Sequence, residues 1–146
     1  MLNSIEEFLS ATEEKQVIEA IRTAELNTSG EIRVHLEGSC QGNSYERALE
    51  VFSILKMDNT KLQNAVLIYV AVHDHSFTIC GDEGINLVVP NDFWDSTKDI
   101  IEQHFRKKEF SQGLVAGIIK VGEQLKAHFP WDPRDQNELP DSISKS

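Results

Sequence analysis

The stretch from Asp132 to Asp141, DPRDQNELPD, places Asp132, Asp135, Asn137, Glu138 and Asp141 within ten positions. Carboxylate and amide oxygens of this kind are ligands for hard cations such as Ca²⁺ and Mg²⁺. The stretch lacks the glycine and the twelve-residue spacing of an EF-hand loop, so taken alone it also reads as a solvated, proline-punctuated tail. A second acidic pair, Asp82 and Glu83, lies between Gly81 and Gly84 in FTICGDEGINLVV. Asp and Gly are poor strand formers, so GDEG is either a plain turn or a place where an ion or chemistry sits.

Other constellations carry less. His73-Asp74-His75 offers two imidazoles that zinc would accept if a third ligand came from elsewhere, but a hairpin tip carries polar turn residues in any case. Cys40 and Cys80 have no CxxC spacing, and a nucleophilic role for either would need a base beside it and a lowered pKa. No GxGxxG, GxxxxGK[ST] or GxSxG occurs, so a phosphate cradle or nucleophile elbow is unsupported. The one basic cluster, FRKKEF from Phe105 to Phe110, suits the last turn of a helix, where cations complement the dipole.

The positioning elements follow from periodicity. Ser10 stands three residues before Glu13, a capping box, and Val17, Ile21 and Ala24 share one face of the helix it opens. EIRVHLE alternates, with Ile32, Val34 and Leu36 on one side of a strand. YERALEVFSILKM spaces Ala48, Phe52 and Leu55 for a second helix. AVLIYVAV is apolar on both faces and predicts the interior strand of a sheet covered on each side. HDHS then leads into FTIC through a connection short enough for an antiparallel hairpin. That hairpin places GDEG at the opposite end of the sheet from HDH, near Gly30 and Glu31.

Beyond Pro90, with Asn91 or Asp92 as cap, Phe93, Thr97, Ile101 and Phe105 outline a third helix, and FSQGLVAGIIKVGEQLKAHF a fourth. Gly113, Gly117 and Gly122 of that fourth helix are expected to allow close approach to the sheet. A short fourth strand at INLVV is an option. The expected architecture is α/β, a three-layer α/β/α sandwich around a small mixed, mostly four-stranded sheet. A single domain spans 1–146, with an irregular acidic C-terminal tail at 130–146.

A formal charge of −10, from 14 Lys and Arg against 24 Asp and Glu, repels phosphate backbones and attracts cations. Nucleic acid is therefore not an expected partner. The longest apolar run, Ala65 to Val72, is too short to span a bilayer, so no membrane insertion is expected and a cytoplasmic location is the simplest reading.

The segments AELNTSGEIRVHLE, NAVLIYVAVHDHSFTICGDEGIN, FSQGLVAGIIKVGEQLKAHFP and NELPDSIS together resemble a stand-alone TPM domain, of the family that includes thylakoid-lumen, photosystem-repair and receptor-modulator proteins. The resemblance runs from about Ala24 to Ser144 and implies an α/β/α sandwich and divalent-metal binding. Its motifs match TSGEI at Thr28 to Ile32, GDxGI at Gly81 to Ile85 and DxNELPDxIS at Asp135 to Ser144, with Glu83 in a variable position. The expected ligands of one or two Ca²⁺ or Mg²⁺ ions are Glu31, Asp82, Asp135, Asn137, Glu138 and Asp141, brought together if the tail folds back across the rim of the sheet. The ion would order the crossing loops and modulate recognition of an unknown protein partner. The alternative is a metal-assisted phosphomonoesterase, an acid-phosphatase-like activity attached to the family's name.

Overall fold

The computed structural model describes residues 4–133 and 139–146. In chain order the elements are α1 (Ser4–Phe8), α2 (Ala11–Glu25), β1 (Glu31–Glu37), α3 (Ser44–Ile54), β2 (Ala65–Ala71), β3 (Ser76–Gly81), α4 (Glu83–Asn86), α5 (Asp95–Arg106), α6 (Phe110–Lys126) and β4 (Ser144–Lys145). The sheet order is β3-β2-β1-β4. β1 and β2 are parallel, joined by the crossover helix α3, and β3 returns antiparallel beside β2. All seven residues of β2 are buried, as its two-sided apolar sequence requires of an interior strand.

Helices α2, α5 and α6 cover one face, where Ile32, Val34 and Leu36 of β1 and Val66, Ile68 and Val70 of β2 meet Ile21, Ile101, Ile118 and Leu125. The other face carries α3, whose Ala48, Val51 and Phe52 pack with Leu67, Tyr69, Cys80 and Met57. The layers are those expected of an α/β/α sandwich. The capping box of α2 is formed in both directions, Ser10 Oγ accepting from the Glu13 amide at 3.1 Å and Glu13 Oε1 from the Ser10 amide at 2.9 Å.

Four local expectations are corrected. INLVV is not a strand: Asp82 caps the one-turn helix α4, which buries Ile85 and leaves Leu87 and Val88 exposed, with no strand among the described residues paired to them. The fourth strand comes instead from the C-terminal stretch expected to be irregular, with His35 opposite Ser144 and Leu36 opposite Lys145. α5 begins after Trp94 with no side-chain cap, so neither Asn91 nor Asp92 serves as its N-cap. The α6 glycines admit neighbouring helices rather than the sheet: a Cβ at Gly117 would lie 2.5 Å from Ile101 Cδ1 of α5, and one at Gly122 2.8 Å from Ala24 Cβ of α2.

Candidate functional site

One rim of the sheet gathers the acidic residues. Glu31, the first residue of β1, is paired with Ala65 of β2, and the Asp82 amide donates to the Ala65 carbonyl at 2.9 Å. With strands about 4.8 Å apart, two spacings put the Glu31 and Asp82 backbones about 10 Å from one another. Side chains alternate along a strand, so Glu31, next to core-facing Ile32, lies on the α3 side of the sheet.

Asp82 answers the question raised by GDEG. Its Oδ1 accepts from the Glu83 amide at 2.7 Å, which fixes the helical turn, while Oδ2 is buried with no hydrogen-bond partner among the described residues. The residue as a whole is 8% exposed. Burial raises its pKa, the Glu83 amide opposes that shift, and the nearby charges of Asp58 and Glu83 add to it. The buried Thr60 hydroxyl likewise has no partner among the described residues. Gly84 has no side chain because none fits: a Cβ would stand 2.4 Å from both the Leu62 and Gln63 carbonyl oxygens. The loop before β2 is thereby pressed against α4.

At the β1 end of the rim the returning C-terminal segment meets Glu31, whose Oε1 accepts from the Leu139 amide at 2.7 Å. Glu25, the last residue of α2, accepts from the Ile32 amide at 3.0 Å and shares a hydrogen bond with Asp141. Burial, reinforced by Asp141 and Glu31, pushes the Glu25 carboxyl up to about 9, so near neutral pH it holds a proton. Asp141 also faces Arg22 at 3.6 Å. A cavity of about 270 Å³ opens here, lined by Glu25, Glu31 and Asp141 with Arg22, Ser29 and Trp131 among its other walls. The turn between α2 and β1 is fixed by Thr28, whose hydroxyl donates to the Phe129 carbonyl and accepts from the Gly30 amide.

Of the expected ligands, Glu31 and Asp141 therefore meet at one end of the rim, Asp82 stands at the other, and Asp135, Asn137 and Glu138 lie outside the described residues. Among the described residues, no group of three or more His, Cys, Asp or Glu side chains is arranged to hold a metal ion. Sequence reading passed over Glu25, Arg22, Asp58 and Thr60. Glu25 and Arg22 belong to an amphipathic helix with ordinary charges, and only the tight turn to Glu31 brings them to the site. The imidazoles of HDH diverge, His73 to Ser39 Oγ at 3.2 Å and His75 onto the Phe110 ring, while Asp74 accepts from the Cys40 amide. Burial pushes the Cys80 thiol up to about 11, so at neutral pH it is no nucleophile.

The family model for the TPM domain, whose label adds the word phosphatase, matches residues 3–124. The chain belongs to the TPM domain family. The match begins earlier than the resemblance in the sequence and ends within α6, before the segment that crosses the rim. This TPM domain is similar to BA42 from the psychrophilic bacterium Bizionia argentinensis, solved by NMR, at 58% identity over 97% of this chain and 98% of that one, with a TM-score of 0.92. Two further NMR structures share the fold. The N-terminal domain of a P. gingivalis protein is 19% identical over 84% of this chain and 79% of that one, with a TM-score of 0.68. The N-terminal domain of cg2496 from Corynebacterium glutamicum is 12% identical over 94% and 81%, with a TM-score of 0.61. No curated protein sequence matches the chain. No helix among the described residues is long and apolar enough to cross a membrane.

Proposed function

We propose that this TPM domain binds one or two divalent cations, Ca²⁺ or Mg²⁺, at the sheet rim, and that the ion orders the loops crossing there and so controls recognition of a protein partner. The observation that carries this reading is the Asp82 carboxylate, whose Oδ2 is buried without a hydrogen-bond partner among the described residues, in the same cross-strand row as Glu31. A buried anionic oxygen with no donor is costly, and a cation is the partner that removes the cost. The raised pKa of Glu25 supports the same reading, since Asp141 and Glu31 add to it and a cation at this end would relieve that repulsion.

In this reading Glu31 and Asp141 are ligands at one end of the rim and Asp82 at the other, with Asp135, Asn137 and Glu138 supplied by the tail. Glu25 adds a further oxygen at the Glu31 and Asp141 end. The ion, when bound, supplies charge neutralisation and a bridge between loops distant in sequence. Two free cysteines suit a reducing compartment, which supports a cytoplasmic location as part of this reading.

A phosphomonoesterase, the activity in the family model's label, is the weaker reading. Among the described residues the rim cavity is lined by Glu25, Glu31 and Asp141 with the Arg22 guanidinium, so a phosphate dianion would meet more acidic than basic side chains.

Titration calorimetry at physiological salt tests the proposal. A sensor-type site gives saturable Ca²⁺ heat with a Kd of about 10⁻⁷ to 10⁻⁵ M, lost in Asp82→Ala. No saturable heat with either ion, or an unchanged response in the variant, removes its basis.

A further inference from the structure

β3 is an edge strand, and its outer side is a built groove. Because the Asp82 amide donates to the Ala65 carbonyl, the pairs Cys80–Leu67, Thr78–Tyr69 and Ser76–Ala71 are the hydrogen-bonded ones, and the amides and carbonyls of Phe77 and Ile79 point away from β2. Among the described residues these four backbone groups have no partner; Phe77 is half-buried and Ile79 is 4% exposed, so an incoming strand reaches the Ile79 groups only as the side chains walling the groove move aside. The groove along them has a volume of about 780 Å³, with Tyr45 of α3 on one side and Lys98 and Arg106 of α5 on the other. Lys108 closes the end of the basic wall. Among the described residues three cations thus face one carboxylate, Glu102, which is ion-paired with Arg106, in a chain of formal charge −10.

The geometry points to β-strand addition: this groove takes an extended protein segment with Asp or Glu at alternate positions, which pairs with β3 as a fifth strand. Successive side chains of an added strand alternate between faces. Acidic residues of the ligand would therefore meet Lys98 and Arg106, while the intervening residues lie against Tyr45. Backbone pairing supplies affinity and the charged wall supplies selection and register. A second copy of this chain is the poorer occupant, because pairing two β3 edges brings two basic walls together. The inference does not depend on the ion at the rim.

The test is ¹⁵N NMR titration of the full chain with a pool of capped hexapeptides carrying Glu or Asp at alternate positions and Val or Thr between. Saturable shifts of the Phe77 and Ile79 amides are expected. Binding should fall at least about tenfold in the double variant Lys98→Glu/Arg106→Glu, whose altered side chains are exposed and leave the core intact. It should fall similarly when the peptide amides that face β3 are N-methylated. Shifts absent at millimolar pool, or equal binding of a Lys-substituted pool, overturn the inference. So does movement of the same amides with protein concentration alone, which assigns the edge to a second copy.

Discussion

Glu31 and Asp82 are joined through a single residue: Glu31 is the β1 partner of Ala65, and the Ala65 carbonyl accepts from the Asp82 amide at 2.9 Å. Two acids 51 positions apart in the sequence thus share one row at one rim, Glu31 opening β1 and Asp82 just past the end of β3, on either side of the buried β2. This row is the fixed frame of the candidate site. The C-terminal segment reaches it through the Leu139 amide on Glu31 and Asp141 beside Glu25.

Asp82→Asn separates the ion from the fold. The amide keeps the Oδ1 cap on Glu83 and removes a buried charge, so the ion-free protein should melt at or above the parental temperature. At a Ca²⁺ concentration of 100 Kd the parent should gain about 2.7 kcal/mol, and the variant much less. Thermal denaturation with Ca²⁺ and with chelator reads both. A variant that gains as much as the parent sinks the role of Asp82.

Glu25 sets a pH dependence. In the fold its carboxyl is raised from the ordinary 4.5 to about 9, so between these values the native state holds a proton that the unfolded chain releases. Stability of the ion-free protein should therefore fall as pH rises through this window, and Glu25→Gln should flatten the slope. Ca²⁺ binding should release a proton near neutral pH and tighten as pH rises. Denaturant midpoints across pH, and calorimetric heats in buffers of different ionisation enthalpy, check each arm.

Gly84→Ala probes the loop pressed on α4. The added methyl has no room beside the Leu62 and Gln63 carbonyls, which are backbone and cannot swing aside. We expect a loss of about 1–3 kcal/mol, measured by urea denaturation, with weaker Ca²⁺ binding as the loop shifts from Asp82. A fully stable Gly84→Ala would contradict the close approach.

A polar network stands at the opposite rim. Glu37 accepts from Arg47 Nη2 at 2.7 Å, from Tyr69 Oη at 2.6 Å and from Ser146 Oγ at 2.8 Å. Arg47 holds the Glu37 carboxyl down at about 2, so its contribution is present above the ordinary 4.5 and is lost as pH falls towards 2. Tyr69→Phe should cost about 1–3 kcal/mol at neutral pH, because Glu37 loses a donor in a largely buried setting. Acid unfolding of parent and variant should converge once Glu37 is protonated. A neutral-pH cost that persists unchanged at low pH would place the effect in packing rather than in the hydrogen bond.

Much of the fold was legible in the residues because strong local patterns agreed with the global arrangement. The two-sided apolar run of β2 has one stable place in a sandwich, and the alternation of β1 and the short link to β3 then fix parallel and antiparallel neighbours. The Ser10–Glu13 box is a local interaction and formed as its spacing requires. INLVV misled because β-branched residues satisfy strand propensity whether or not a neighbour exists. With no strand among the described residues beside it, the Asp82 cap took the turn into a helix.

By itself, then, the sequence determined the layers, the direction of the first three strands and the sharing of one rim by Glu31 and Asp82, since these rest on periodicity and connection length. Only the tertiary structure decided that Ser144 and Lys145 add a strand beside β1, that burial raises the Glu25 pKa so that it keeps its proton, and that Asp82 Oδ2 is buried with no partner among the described residues. Those outcomes depend on desolvation and on contacts between segments far apart in the chain, which no local pattern encodes.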